Sequence, residues 1–237
     1  MLRFFKRNIH AKLSGKKWNV FRECSAKNHT LDTCLRYMSS NVCSRSQNKV
    51  TKVLRISLFN LKSFLEVRPN LKIVHLFRDP RAVINSHIRT NWSPVRANSL
   101  ESVASVSRSI CGRMADDIEN AKKLKAEFPQ RFLIVQYEDF KNPLPKIRKL
   151  IDFVGMKFTS EAYNFIDIDT NATSGSKLNG NHPFLYREQL EWRFVRVINR
   201  YCSNIYKELG YTMFGSEEEL KDTEIQPVTS PLPYALL

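Results

Sequence analysis

A run of residues from Leu71 to Ser86, LKIVHLFRDPRAVINS, constrains the fold of this chain more than any other segment. Its first seven positions are nearly all apolar, which predicts a strand of a parallel sheet that is buried on both faces. Asp79 can cap the amides of a following helix, and Pro80 suits the first helical position, where no amide hydrogen is needed. The run therefore predicts a strand, a tight turn and a helix in direct succession, the pattern of an α/β protein.

Positive charge is concentrated in this turn. Arg78 and Arg81 stand at the carboxyl end of the predicted strand, where open α/β sheets bind ligands. Free helix amides, the helix dipole and guanidinium groups all attract anions, and a phosphate suits this geometry. Ser86 lies about 9 Å along the helix from Pro80, which places it on the flank of the helix and not at its tip. From these residues alone, an ordinary turn with solvated arginines is an equal alternative.

The segment from Leu76 to Ser86 resembles the 3′-phosphate-binding motif of sulfotransferases. Its closest resemblance is to the Golgi carbohydrate sulfotransferases that modify the 6-hydroxyl of a sugar. Other segments that resemble this family follow in the same order: Cys34-Leu-Arg36, residues 50–56, Gln136-Tyr-Glu-Asp-Phe140, residues 151–155, Trp192-Arg193-Phe194, Cys202 and Leu209-Gly-Tyr211. The resemblance extends from about Trp18 to Phe214 and so covers most of the chain.

The resemblance implies an enzyme that transfers a sulfuryl group from 3′-phosphoadenosine 5′-phosphosulfate to a hydroxyl of a glycan or glycosaminoglycan in the Golgi lumen. Arg78 and Ser86 match the pair that holds the 3′-phosphate of this co-substrate. The predicted nucleotide-binding residues are Arg78, Asp79, Pro80, Arg81, Ala82, Val83, Ile84, Asn85 and Ser86. The resemblance identifies no catalytic base in this sequence.

The sequence departs from the family at one element. Sulfotransferases hold the 5′-phosphosulfate with a loop of the type Arg-x-Gly-Ser-Ser after the first strand, and the one glycine before Gly112 is Gly15, which follows no apolar strand. We therefore expect a sulfotransferase fold with a short parallel sheet between helices, in a truncated chain that begins after the first strand and the loop and lacks the family's membrane anchor. Two alternatives to an active or impaired enzyme stay open: a non-catalytic remnant that binds the 3′-phosphate, and a basic polyanion-binding module.

The charge and the cysteines limit the classes of partner. A net charge of +15 predicts attraction to polyanions, and sulfated or carboxylated glycans fit the resemblance better than nucleic acid, for which no recognition motif is present. The 5 cysteines lack paired metal-ligand spacing, so no metal site is predicted. In a lumenal protein they predict one or two disulfides with an odd thiol. Three glycosylation sequons, at Asn28, Asn91 and Asn171, fit the same compartment.

We divide the chain into three parts. Residues 1–17 are basic and predicted to be disordered, residues 18–214 form a partial sulfotransferase domain, and residues 215–237, which turn acidic and then contain proline, are predicted to be a disordered tail. Apolar periodicity predicts helices over about 50–67, 99–127 and 188–209, and a second strand over 131–136.

Overall fold

The computed structural model describes residues 23–37, 45–54, 56–90, 99–141, 143–164 and 183–229. The chain divides into two compact units, Met1–Arg55 and Ile56–Leu237. The first unit contains helix α1, Leu31–Tyr37, and a disulfide between Cys24 and Cys34. Residues 1–17 and Cys43 lie outside the described residues, so the predictions made for them stay predictions.

The second unit contains the predicted strand, turn and helix. Its elements are a 3-10 turn Leu58–Asn60, α2 Leu61–Val67, β1 Ile73–Phe77, α3 Pro80–Thr90, α4 Leu100–Glu127, β2 Phe132–Gln136, a 3-10 turn Tyr137–Lys141, α5 Pro143–Val154, α6 Tyr186–Gln189, α7 Trp192–Leu209 and α8 Glu217–Lys221. The alternation of strands and helices confirms the predicted α/β class with a short sheet flanked by helices.

The two strands pair in parallel, with Ile73 opposite Phe132 and Phe77 opposite Gln136. Every residue of β2 is buried, as is typical of a strand covered on both faces, although this burial was predicted for β1. β1 differs from that prediction, because its side chains alternate and Val74 and Leu76 are 37% and 51% exposed. One face of β1 is thus covered and the other is open.

The two longest helices, α4 and α7, form the main contact between helices in this unit. α4 begins at the N-cap Ser99, whose hydroxyl accepts from the Ser102 amide at 3.1 Å. Their apolar stripes pack together through the buried side chains Ile110, Ile118, Phe194, Ile198 and Ile205. A disulfide between Cys111 and Cys202 joins the two helices, with a Cα–Cα distance of 5.4 Å.

Two predicted helices are shorter in the structure. The described residues of 50–57 are not helical, and Val50 and Leu54 are exposed, so helical structure begins only at Leu58. The helix expected over 188–209 is interrupted at Leu190, where the backbone is extended, and α7 then ends at Gly210 in a left-handed conformation with φ 71°.

The predicted disorder of the tail is wrong for residues 215–229. This segment contains α8, and Leu220 within it is fully buried. Arg187 explains why this segment is ordered. Its guanidinium donates to the carbonyl oxygens of Leu220 at 2.7 Å and Ile225 at 3.0 Å, and also to that of Asp222. These hydrogen bonds offset the conformational entropy that this largely polar segment loses when it becomes ordered. Residues 230–237 lie outside the described part of the chain.

None of the helices described is both long enough and apolar enough to pass through a lipid bilayer.

Candidate functional site

The parallel register extends beyond the ends of the two strands. The last paired residues are Phe77 and Gln136, and the next residues in each chain segment are Arg78 and Tyr137. The Arg78 guanidinium lies over the Tyr137 ring, 4.4 Å from its centroid. Because parallel strands end at the same edge of a sheet, the register itself brings this arginine and this tyrosine together.

Arg78 keeps an unused donor in this arrangement. Its side chain is half-buried, and its Nε atom is buried without a hydrogen-bond partner. A buried donor without an acceptor costs about 1–3 kcal/mol, so such an atom marks a place where an acceptor from outside the protein would be stabilising. The contact with the Tyr137 ring restricts the Arg78 side chain, and a guanidinium is the group best suited to bind an anion through two parallel hydrogen bonds.

Ser86 occupies the flank of α3, as its sequence position predicts. The helix begins at Pro80, and Ser86 is the seventh residue. Val83, Ser86 and His87, spaced by three and four positions, are all half-buried. They therefore share a face that is partly accessible and distinct from the buried face of this helix.

Asp79 and Arg81 form a buried ion pair. The Asp79 carboxylate accepts from Arg81 Nη2 at 2.7 Å and from Arg81 Nε at 3.0 Å, and neither residue is exposed. Asp79 also caps α3 as predicted, since its Oδ1 accepts from the Arg81 amide at 2.8 Å. The Asp79 side chain therefore stabilises the turn that carries Arg78.

The Arg81 guanidinium is directed into the core. It lies 4.4 Å from the Tyr206 ring centroid and 4.9 Å from that of Phe214, and Nη1 donates to the carbonyl oxygen of Thr212 at 2.8 Å. Burial is the largest single influence on the pKa of Arg81 and lowers it, but Asp79, Tyr186 and Tyr206 together outweigh burial and raise it, so the guanidinium remains charged. The sequence predicted that Arg78 and Arg81 both attract an anion. Because the nitrogen atoms of Arg81 already donate to Asp79 and Thr212, only Arg78 of these two arginines stays a candidate for this role.

Glu138, which follows β2, forms a hydrogen bond with the turn between β1 and α3. Its Oε1 accepts from the Asp79 amide at 2.9 Å, and its Oε2 accepts from the Tyr211 hydroxyl at 2.8 Å. Asp79 and Glu138 are separated by the same 59 positions as the strand partners Ile73 and Phe132. Burial, and then the charge of Asp79, raise the pKa of Glu138 to about 7.

The remaining predicted residues mainly hold α3 in the fold. Pro80, Ala82 and Ile84 are buried, and Val83 packs against the core. The Asn85 amide donates from Nδ2 to Gln189 Oε1 at 3.0 Å, which links α3 to α6. Among the nine predicted residues, Arg78 and Ser86 are the half-buried polar ones, and their role in binding stays a prediction.

Tyr137, Glu138 and Tyr211 contribute to this site, although they are not among the nine predicted nucleotide-binding residues. Sequence did show that Tyr137 and Glu138 follow a strand, and the parallel pairing of the two strand ends is the signal that would have matched them to Arg78 and Asp79. Tyr211 gave no such signal, since it is far from both strands in sequence. In the described part of the chain, no cluster of His, Cys, Asp and Glu could hold a metal ion.

Comparison with known proteins confirms the family resemblance seen in the sequence. The sulfotransferase domain family matches residues 5–195. The chain is 27% identical over 226 residues to carbohydrate sulfotransferase 1 of Danio rerio, which covers 86% of this chain and 52% of that protein. It is 27% identical over 201 residues to carbohydrate sulfotransferase 2 of Homo sapiens, covering 65% of this chain and 37% of the relative.

A third relative, carbohydrate sulfotransferase 3 of Mus musculus, is 25% identical over 226 residues, with 87% of this chain and 48% of the relative covered. The chain spans about half the length of these curated relatives. No solved structure matches it significantly. The family match covers far more than half of the chain, and this chain therefore belongs to the sulfotransferase domain family.

Proposed function

We propose that this chain binds 3′-phosphoadenosine 5′-phosphosulfate, with Arg78 and Ser86 holding the 3′-phosphate, for sulfuryl transfer to a sugar 6-hydroxyl of a glycan or glycosaminoglycan. The names of its relatives, carbohydrate sulfotransferases, support a sugar acceptor. The two disulfides fit the oxidising lumen of the Golgi.

One observation carries the proposal: the half-buried guanidinium of Arg78, with a buried Nε that lacks an acceptor, stands at the carboxyl end of β1 beside the start of α3. Phosphate oxygens would satisfy this donor, and the fixed plane of the guanidinium on Tyr137 would reduce the entropy lost on binding. Ser86 would add a hydroxyl donor from the flank of α3.

Sulfuryl transfer, like phosphoryl transfer, depends mainly on positioning and on neutralising the charge that develops on the leaving group. Arg78 and Ser86 would supply positioning at the ribose phosphate, away from the reacting sulfur. In the family, the Arg-x-Gly-Ser-Ser loop acts on the 5′-phosphosulfate, and this sequence contains no such loop. Nucleotide binding is therefore the first activity to test in this chain.

The test is calorimetric titration of the protein with adenosine 3′,5′-bisphosphate, which carries the proposed phosphate without the reactive sulfate. We expect measurable binding and a loss of about 1.5–3 kcal/mol for Arg78→Ala, the contribution of a charged hydrogen bond. Ser86→Ala should lose less, about 0.5–1.5 kcal/mol, because its hydroxyl is neutral.

Arg108→Ala is the matched control. The Arg108 guanidinium also lies over a tyrosine, 5.1 Å from the Tyr201 ring centroid, and it donates to that tyrosine's hydroxyl. It therefore has the same kind of aromatic partner on a different helix. Equal affinity in the wild type and in Arg78→Ala, or an equal loss in Arg108→Ala, would contradict the proposal.

A second candidate is a protein that binds the nucleotide without turning it over, and the Arg78 site fits it equally because it would hold the 3′-phosphate away from the reacting sulfur. The two candidates share the Arg78 site and differ in turnover. Incubation with the sulfate donor and an unsulfated keratan or chondroitin oligosaccharide, read by mass spectrometry, separates them. A product heavier by one sulfate supports the enzyme, and bisphosphate binding without product supports the second candidate.

A further inference from the structure

A groove of about 500 Å³ runs along α7, and its residues are not among those predicted to hold the nucleotide. Two segments of the same unit form its walls. It is lined by Trp192, Arg196, Asn199, Arg200, Ser203, Met213, Phe214 and Gly215.

The helical wall of the groove carries two arginines. Arg196 and Arg200 are four positions apart, so they share a face of α7, and both are exposed. Within the described residues neither makes an ion pair, whereas Arg193 on the same helix pairs with Glu191 at 2.8 Å. Like charges at this spacing destabilise a helix, a cost that a bound anion would remove.

Hydrogen bonds hold the opposite wall in place. Asn199 donates from Nδ2 to the Phe214 carbonyl oxygen at 3.1 Å, and it accepts from the Tyr206 hydroxyl at 3.0 Å. At the Gly215 end, the Glu219 carboxylate accepts from the Gly215 amide at 2.7 Å. Because these contacts are buried or already paired, the groove is preformed and its wall needs no further ordering on binding.

The groove combines cationic and apolar surfaces. The Cα atoms of Arg196 and Arg200 lie about 6 Å apart along the axis of α7, so their guanidinium groups can reach charged groups of one elongated ligand. Guanidinium groups bind sulfate and carboxylate through two parallel hydrogen bonds. The half-buried ring of Trp192 and the side chain of Met213, which is 55% exposed, offer apolar surface for the C–H face of a sugar ring.

We propose that this groove, which we name the α7 groove, binds an already sulfated or carboxylated stretch of a glycan. It would hold the acceptor chain at a point other than the hydroxyl that reacts. The choice of a glycan over another polyanion rests on the proposed function. The choice of an anionic ligand rests on the unpaired arginines alone.

The probe is a fluorescein-labelled octasaccharide derived from heparin, and its binding is measured by fluorescence anisotropy. Arg196→Ala/Arg200→Ala should weaken binding roughly tenfold or more, because two charged contacts are lost, and should reduce the salt dependence of the affinity. Met213→Glu should also weaken binding by placing a carboxylate in the groove, while Met213→Gln should not.

Lys149→Ala/Lys157→Ala is the matched control, since it removes the same charge from exposed positions on and just after α5. Thermal unfolding verifies the fold of each variant, and Met213→Glu keeps the test valid if the double arginine variant is unstable. Adenosine 3′,5′-bisphosphate should bind the groove variants as it binds wild type, and Arg78→Ala should bind the octasaccharide normally. The two sites can therefore fail separately.

Three outcomes would overturn the proposal. The first is no binding of the octasaccharide by the wild type, and the second is an equal loss in the lysine control. The third is stronger, arginine-dependent binding of a single-stranded DNA of equal charge, which would identify the partner as nucleic acid. Loss of octasaccharide binding confined to the groove variants supports it.

Discussion

The buried pair of Asp79 and Arg81 makes the turn after β1 sensitive to single substitutions. Neither side chain has exposed surface, so removal of one partner leaves a charge inside the protein. We expect Arg81→Met to lower the free energy of unfolding by about 3–5 kcal/mol. Urea denaturation followed by circular dichroism measures the change.

The double variant Arg81→Met/Asp79→Asn serves as the control for this interpretation. It removes both charges and leaves the asparagine able to cap α3, so it should be more stable than Arg81→Met alone. A double variant less stable than the single one would show that the loss came from packing around Tyr206 and Phe214 and not from the stranded Asp79 carboxylate.

Glu138 should give the protein a distinctive dependence of stability on pH. Its pKa is raised from 4.5 to about 7, chiefly by burial. Between these values the native protein keeps a proton that the unfolded chain has released, so the contribution of Glu138 to stability falls as pH rises from about 4.5 to 7. Below that window and above it the contribution is constant.

Glu138→Gln tests this dependence because glutamine does not ionise and can still accept from the Asp79 amide. The variant should match the wild type below pH 4.5 and exceed it by up to about 3 kcal/mol above pH 7, at about 1.4 kcal/mol per unit of pKa shift. Stability is measured by urea titration at each pH. His75, whose pKa is lowered by burial, is common to both proteins and cancels in the difference. A difference that stays constant with pH would refute the prediction.

At the scale of secondary structure, we expect the stability of α4 and α7 to depend most on the disulfide that joins them. The Cys111–Cys202 disulfide closes a loop of 91 residues, and chain entropy predicts a contribution of about 4.6 kcal/mol for a loop of that size. Cys111→Ser/Cys202→Ser should therefore lower the midpoint of urea unfolding strongly.

The Cys24–Cys34 disulfide provides the comparison. It spans only 10 positions, for which the same relation gives about 2.7 kcal/mol, and it lies in the other compact unit. Its removal should affect α4 and α7 little in hydrogen exchange. If exchange in α7 responds equally to the loss of either bridge, the assignment of the larger effect to Cys111–Cys202 is wrong.

The segment 215–229 should depend on Arg187. Lysine at that position carries the same charge but lacks the planar fork that donates to the carbonyl oxygens of Leu220 and Ile225. We expect Arg187→Lys to raise amide exchange in α8 at least several-fold, with little change in β2. Exchange measured by mass spectrometry checks this, and unchanged protection of α8 would contradict it.

Sequence predicts the elements well where local signals agree. The observed bounds of β2 and α4, and the first residue of α3, lie within two residues of those predicted, because an apolar pattern defines β2 and α4, and Asp79 and Pro80 mark the start of α3. Sequence fails where order comes from distant side chains. Arg187 contacts Leu220 from 33 positions away, and composition alone does not reveal such a bond.

The same distinction applies to the candidate site. Arg78 and Arg81 follow one strand, and charge and position in the turn do not distinguish them without the family resemblance, yet Arg78 contacts the ring of Tyr137 while Arg81 is enclosed by the core. The different environments of Arg78 and Arg81 result from the pairing of β1 with β2, which brings together residues that are 59 positions apart in the sequence. A motif therefore identifies the turn, and tertiary structure selects the side chain that faces outward.

At the scale of the whole molecule, the net charge of +15 predicts faster association with anionic ligands at low salt than at high salt. That steering is not specific to any ligand. Binding that depends on one phosphate of a nucleotide is specific, and it distinguishes a nucleotide site from general attraction.

The most direct test of the Arg78 site compares two ligands on two proteins, by calorimetry at one salt concentration. Adenosine 3′,5′-bisphosphate and adenosine 5′-monophosphate differ by the 3′-phosphate, and wild type and Arg78→Ala differ by the guanidinium. We predict that Arg78→Ala weakens bisphosphate binding by about 1.5–3 kcal/mol and leaves monophosphate binding nearly unchanged. An equal loss for both ligands, or none for either, would contradict the assignment of Arg78 to the 3′-phosphate.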